Sequence, residues 1–243
     1  MPEPTSALPA SVAVQLLGGL SLHVGSRAVD VPPGSRRLLA YLALHPPGVD
    51  RRQAAGVLWP TVGDARAAGN LRSALWRLHS VGCAVVRADA SRLCLHKAAV
   101  VDVAELEAWA ARVLAGRPST ADLAVDPGPV VEAELLPGWY DDWVLVVRDR
   151  LRLRLLHALE ALGSQLADAG RPREAVEAVH VAVLAEPLRE SGQRALIEAH
   201  QAAGDWVSAR RQFDAFRVLL RREIGVDPSE ELTAVATGPR RHP

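Results

Sequence analysis

Along residues 12–31 (VAVQLLGGLSLHVGSRAVDV), runs of β-forming apolar residues are short, and Gly18-Gly19 and Gly25-Ser26 break them. Such runs between turn residues predict short strands joined as hairpins. The pattern changes after Pro32-Pro33-Gly34. In SRRLLAYLALHP, Leu38, Leu39, Leu42 and Ala43 recur at helical spacing, with Ser35 as the candidate cap and Pro46-Pro47-Gly48 as the stop. Asp50 is placed to cap a short helix, RRQAAGVLW, which Pro60 ends. Asp64 is placed to cap a third, ARAAGNLRSALWRLHSV, which closes at Gly82. CAVVRADASRLCLH then shows two β runs about Asp89-Ala90-Ser91, the pattern of a hairpin. Strands, three helices and a hairpin within about 90 residues follow the plan of a winged helix, whose last helix can enter a DNA major groove.

The second half has a different rhythm. After AAVVDVAELEAWAARVLAG, a Pro- and Gly-punctuated link (DPGPVVEAELLPG) leads into nearly continuous helical pattern up to about residue 236. It also repeats. Gly170 and Gly204 are 34 residues apart, and the same offset pairs Ala161 with Ala195, Leu162 with Leu196, Ala169 with Ala203 and Ala175 with Ala209. A 34-residue period is that of tetratricopeptide helix pairs, each of which leaves an apolar face for the next to cover. The expected fold is therefore mainly α with a small β component: an N-terminal winged helix-turn-helix followed by an all-α tetratricopeptide-like helical domain. The expected boundaries are a disordered N-terminus (1–11), the winged helix (12–100), the helical domain (101–236) and a disordered tail (237–243).

Net charge is zero over the 243 residues, but its distribution is uneven. Residues 1–100 carry 11 Lys and Arg against 5 Asp and Glu, and the remainder carries the balancing acidic excess. A basic front and an acidic back suggest two modules with different partners. The third helix supplies the candidate site. Leu71, Ala74, Leu75 and Leu78 form its apolar stripe, and Arg66, Asn70, Ser73, Trp76 and Arg77 fall opposite. Arg bonds guanine bidentately, Asn bonds adenine, Ser bonds bases or phosphate, and Trp76 can pack on a thymine methyl or the sugar backbone. Alone, such a face reads more readily as a solvated polar surface with Trp76 covering a neighbouring element, and the winged-helix order turns the reading toward DNA. Arg72 lies on the flank, better placed for phosphate. The pairs Arg36-Arg37 and Arg51-Arg52, at helix starts, are either phosphate contacts or ordinary surface charge. In the hairpin, Arg87, Arg92 and Lys97 are candidates for the neighbouring minor groove or backbone.

Other chemistry finds little support. Cys83 and Cys94 are two thiols, read as buried and reduced or else as a redox pair. No apolar run reaches the roughly 18 residues of a membrane span, and MPEPTSALPA lacks the layout of a secretory signal. A cytoplasmic protein is expected. Gly-x-Ser-x-Gly, His-Glu-x-x-His and a helix-opening Gly-x-Gly-x-x-Gly are absent, so neither an enzyme nor a cofactor or metal is expected. Trp139, Trp143 and Trp206 are expected to fill gaps between helices. RDRLRLRL (148–155) is expected to be helical, with its arginines lying along neighbours or pairing with acids, and Asp141-Asp142 to mark a helix start.

With the helices and repeats in view, the chain resembles the Streptomyces antibiotic regulatory protein family of transcriptional activators. That family joins an OmpR-like winged helix to a bacterial transcriptional activator domain. The phrases that carry the resemblance are VLWP (57–60), DARAAGNLRSALWRL (64–78), VDVAELE (101–107), LLPGWYDDWV (135–144), EPLRESGQRALIEAHQAAGD (186–205) and FRVLLRREIGVDPSEEL (216–232). The family's Gly-Tyr-x-Leu motif at the end of the wing is replaced by Ser91-Arg92-Leu93-Cys94-Leu95. No Gly-x4-Gly-Lys-Ser/Thr occurs, so the expectation is a short, two-domain member without nucleotide chemistry. The resemblance implies double-stranded DNA as partner, bound at direct repeats near promoters by side-by-side protomers that contact RNA polymerase. The targets would be genes of an antibiotic or other secondary-metabolite cluster. The alternative is a tetratricopeptide protein–protein adaptor whose winged helix does not bind DNA.

Overall fold

The computed structural model describes residues 11–80, 85–132 and 134–238. Expectations about residues 1–10, Gly82, Cys83 and 239–243 fall outside the described residues. The structure is mainly helical with a small β component at the N-terminal side, and it divides into two compact units. One comprises residues up to 106 together with 134–149; the other comprises 107–132 and 150 onward.

In the first unit, β1 (Val12–Gln15), β2 (Ser21–Val24) and β3 (Arg27–Val29) form an antiparallel meander, with Val12 opposite Val24 and Leu22 opposite Val29. Val12, Val14, Leu22 and Val29 are buried, as alternate positions of half-buried strands should be. Helix α1 (Pro33–Ala43) starts at a proline, whose missing N–H is no loss in a first turn. Ser35 does not cap it. Ser35 lies inside the helix, fully buried, and its hydroxyl donates across to the Ala74 carbonyl at 2.9 Å. The β4 strand (Val49–Asp50) leads into α2 (Arg51–Leu58), where Asp50 is the expected cap: its Oδ1 accepts from the Arg52 and Gln53 amides at 2.8 and 3.0 Å. Helix α3 (Asp64–Ser80) begins one residue earlier than a cap at Asp64 implies. The Gly63 carbonyl accepts from the Arg66 and Ala67 amides, and Asp64 is a first-turn acid.

Strands β5 (Val86–Ala88) and β6 (Arg92–Leu95) make the expected hairpin, and β6 also pairs with β4 in a three-stranded sheet ordered β4-β6-β5. Then β7 (Ala99–Val101) returns to lie parallel to β1, completing a four-stranded sheet ordered β3-β2-β1-β7. Helix α4 (Asp102–Leu114) follows at once. The Asp102 carboxylate accepts from the Leu16 and Leu17 amides at 2.9 Å, giving the end of β1 partners that no strand supplies.

The first unit also takes in a segment from much later in the chain. Leu17 bridges to Leu135, the Leu136 amide donates to the Leu16 carbonyl at 2.9 Å, and the Gly18 amide to the Glu134 carbonyl at 2.8 Å. Arg37 of α1 pairs with Asp141, and Tyr41 meets Trp143 edge-on at 5.2 Å. Arg148 donates to the carbonyls of Leu135, Leu136 and Trp139. The LLPGWYDDW segment therefore packs as part of the first unit. Trp139 and Trp143 are half-buried there rather than enclosed among repeats, and Trp206 is also half-buried.

The second unit contains a 3-10 turn (Asp122–Ala124), α5 (Pro127–Glu132), the greater part of α6 (Asp142–Asp168), α7 (Pro172–Ala185), α8 (Glu190–Ala202), α9 (Trp206–Glu223) and α10 (Glu230–Thr237). The end of α10 overlaps the tail expected to begin at residue 237. The RDRLRLRL run is helical, and Arg152 pairs with Glu186 as expected of it. The 34-residue offset reappears in the hydrogen bonds. Gly170 donates to the Ala167 carbonyl and Arg171 to Leu166; Gly204 donates to Gln201 and Asp205 to His200. Both glycines have positive φ, 74° and 75°, so the repeat is a recurring helix-ending turn that glycine adopts without penalty. Next to the first turn, Gly163 lets α6 approach α7 so closely that a β-carbon there would run into Val179, itself fully buried. One core layer joins Val179, Val183 and Leu196, and the next joins Ile197, Ala209, Phe213, Phe216, Leu220 and Leu232.

Asp122, buried at the start of its turn, is the polar centre of this unit's entry. Arg112 grips it with two bonds of 3.0 and 2.7 Å, Ser119 donates both amide and hydroxyl, and the buried Trp109 donates its indole N–H to the Asp122 carbonyl. The Arg112 guanidinium, followed by the Ser119 amide, holds the Asp122 carboxyl far below the usual carboxylate range.

Gly163→Leu should destabilise the second unit by about 1–3 kcal/mol, because the overpacking at Val179 exceeds the roughly 1 kcal/mol gained in helix propensity. Urea unfolding followed by circular dichroism measures this. Asp122 has a depressed folded pKa, so its stabilisation is complete above the unfolded value of about 4 and is lost as pH falls below it. Asp122→Asn should lower stability at pH 7 and flatten the acid limb of the stability profile between pH 4 and pH 2. A full-strength acid limb in Asp122→Asn would reassign that sensitivity to other groups.

Candidate nucleic-acid interface

The rotation of α3 decides which side chains face outward. Ala67, Leu71, Ala74, Leu75 and Leu78 are buried, and the Ser35 bond to Ala74 fastens that side to α1. At about 100° per residue, the opposite side runs through Ala65, Gly69, Ser73 and Trp76. Trp76 is 70% exposed, and Arg66, Arg72, Ser73 and Arg77 are exposed with it. Asn70 differs from expectation. It is half-buried, at the border between the buried stripe and the outer face.

The two flanks of α3 have different neighbours. Arg77 reaches over the start of α1, where a β-carbon on Gly34 would collide with its guanidinium. Arg72 lines a cleft of about 560 Å³ with Arg51 and Arg52 of α2 and with Ala90 at the hairpin tip. That tip is held firmly. The Asp89 carboxylate accepts from the Ser91 and Arg92 amides at 2.8 and 2.6 Å, and these backbone donors, Arg92 first, hold it below the usual carboxylate range. Arg51 donates its amide to the Ser91 carbonyl and its guanidinium to the Asp89 carbonyl, both at 2.8 Å. The start of α2 is thereby tied to the hairpin, a role for Arg51 that sequence reasoning missed. Only the long-range pairing of β4 with β6 brings the two together.

The remaining candidates are less clustered. Arg92 stands opposite Asp50 in the β4–β6 ladder and donates to the Gly48 carbonyl at 3.3 Å. Lys97 lies in the turn after β6 and faces a second cavity, with Leu42, Pro46 and Cys94, away from the cleft that Arg72 lines. Cys94 is a half-buried free thiol. Arg37 pairs with Asp141, whereas Arg36 donates one N–H to the Val31 carbonyl at 3.2 Å and keeps half of its side chain exposed. Among the described residues no group of three or more His, Cys, Asp or Glu is arranged to hold a metal ion, and no helix is long and apolar enough to cross a membrane.

Strands, three helices and a hairpin, with a polar outer face on the third helix, define the first unit as a winged helix; the second is a stack of antiparallel helix pairs. The sequence matches the family described as "Bacterial transcriptional activator domain" over residues 84–238, and the chain belongs to that family, which is one of transcription factors rather than enzymes. A similar fold occurs in Mycobacterium tuberculosis EmbR, solved in complex with a low affinity phosphopeptide. The likeness has a TM-score of 0.72 at 21% identity and covers 93% of this chain and 64% of that one. The chain thus spans less than two-thirds of that protein's length. No curated protein matches the chain.

Proposed function

We propose that this transcriptional activator is a sequence-specific DNA-binding protein whose α3 reads base edges in the major groove. Ser73, Trp76 and Arg77 face the bases, with Arg66 and the half-buried Asn70 beside them. Arg72 binds phosphate with Arg51 and Arg52 nearby, while Arg92 and Lys97 reach flanking backbone. The observation that carries this reading is the polar outer face of α3, with Trp76 in the open, set beside a cleft where three arginines outnumber one carboxylate, Asp64. Bidentate Arg contacts supply sequence preference, and the surrounding charge supplies salt-sensitive affinity. Following the family resemblance, the sites are direct repeats near promoters of a secondary-metabolite gene cluster. Adjacent protomers self-associate there, and the helical unit contacts RNA polymerase. The protein acts in the cytoplasm, without a cofactor.

Gel-shift titration of the full chain on promoter DNA flanking its own gene, at two salt concentrations, tests the reading. Arg72→Ala should weaken binding to all sequences alike and reduce the salt slope by roughly one. Arg77→Ala should cost about 1–3 kcal/mol and relax preference at one base position. If neither folded variant changes binding, α3 is not the reading helix. If the folded parent binds no DNA even at low salt, the adaptor reading takes over.

A further inference from the structure

The second cavity of the first unit has an apolar and cationic lining of which the DNA-facing reading uses only Lys97. It is a partly open hollow lined by the end of α1 (Leu42, Ala43), the Pro46-Pro47-Gly48 turn, strand β6 and the turn after it, β7, and Ala104 of α4. Its volume is about 300 Å³, at the small end of ligand pockets. The walls are mainly aliphatic. The charged side chains that line it, among the described residues, are Arg87 and Lys97, with His96 between the strand and the turn. No carboxylate lines it, and neither Arg87 nor Lys97 forms an ion pair among the described residues.

An apolar hollow rimmed only by cations is complementary to one kind of small molecule: an apolar body ending in an anion. The apolar part gains by leaving water, and the anion gains two cations at a solvated rim without being buried. We infer that this cavity binds a small aliphatic carboxylate, its chain against Leu42, Ala43, Val101 and Ala104 and its carboxylate toward Arg87 and Lys97. A neutral molecule of the same shape forgoes the charge contacts, and a cation is repelled. The cavity shares Lys97 with the proposed flanking-backbone contacts but no residue with the outer face of α3, and its test is run without DNA.

Octanoate and 1-octanol are suitable probes, titrated calorimetrically into the full chain. Octanoate should bind with a Kd at least tenfold below that of octanol. The double variant Arg87→Gln/Lys97→Gln should erase that tenfold preference while leaving octanol unchanged. Ala104→Trp should block both probes; because that variant can fold poorly, residue-resolved alkylation of Cys94 in the unaltered chain provides a second readout. Cys94 lines the cavity, so saturating octanoate should slow its reaction with iodoacetamide severalfold. Absence of octanoate binding, equal binding of octanol, or an unchanged Cys94 alkylation rate in the presence of octanoate would each overturn the proposal.

Discussion

A single buried hydrogen bond, from the Ser35 hydroxyl to the Ala74 carbonyl, sets the orientation on which the candidate interface depends. Apolar stripes alone are non-directional: Leu38, Leu39 and Leu42 of α1 can meet Leu71, Leu75 and Leu78 of α3 over a range of rotations with similar burial. A hydroxyl in a fully buried position must find an acceptor, and the observed rotation of α3 brings the Ala74 carbonyl to 2.9 Å from it. That rotation turns Ser73 and Trp76 outward, leaves Asn70 at the border, and sends Arg72 and Arg77 to opposite flanks. The net worth of such a bond is about 1 kcal/mol, small beside the apolar burial around it. It contributes specificity of orientation more than bulk stability.

The end of β1 does comparable work for the chain's path. Leu16 and Leu17 receive the Asp102 carboxylate on their amides, and the same short stretch meets Glu134, Leu135 and Leu136. Three segments far apart in sequence converge on a few backbone groups that would otherwise be buried without partners. The same convergence explains why a phrase as distinctive as LLPGWYDDW belongs physically with α1. Its Asp141 neutralises Arg37, and its Trp143 packs on Tyr41.

What was legible in the sequence was what neighbours along the chain determine. The broken β runs of residues 12–31 gave strands, Asp50 gave a cap, Asp89-Ala90-Ser91 gave a hairpin tip, and the 34-residue offset of Gly170 and Gly204 gave identical turns. Long-range pairing was not legible. Nothing near residue 99 announces a strand parallel to β1, and nothing near Ser35 distinguishes a cap from a buried donor one turn into a helix. Arg51 and Arg37 looked like free charge at helix starts because their partners, Asp89 and Asp141, are 38 and 104 residues away. Arg66, Arg72, Ser73, Trp76 and Arg77 were readable as exposed because the apolar stripe gives the outward side of the helix, within the range of rotations that the Ser35 bond then narrows. Asn70 lies at the stripe's edge and is half-buried, a position that the helical period alone does not resolve. Lys97 was grouped with the hairpin by sequence proximity; it lies in the turn after β6, where it also lines the second cavity.

The central claim, that the outer face of α3 lies in the major groove, is tested most directly by affinity cleavage. Ser73 sits near the centre of that face and is exposed, so Ser73→Cys, with Cys83 and Cys94 replaced by Ser, can carry a tethered iron chelate on full-length protein bound to promoter DNA. Strand cleavage centred within each bound repeat, with the offset between strands that marks the major groove, is the result predicted here. Specific DNA binding accompanied by cleavage confined to flanking DNA, or by none at all, would contradict it.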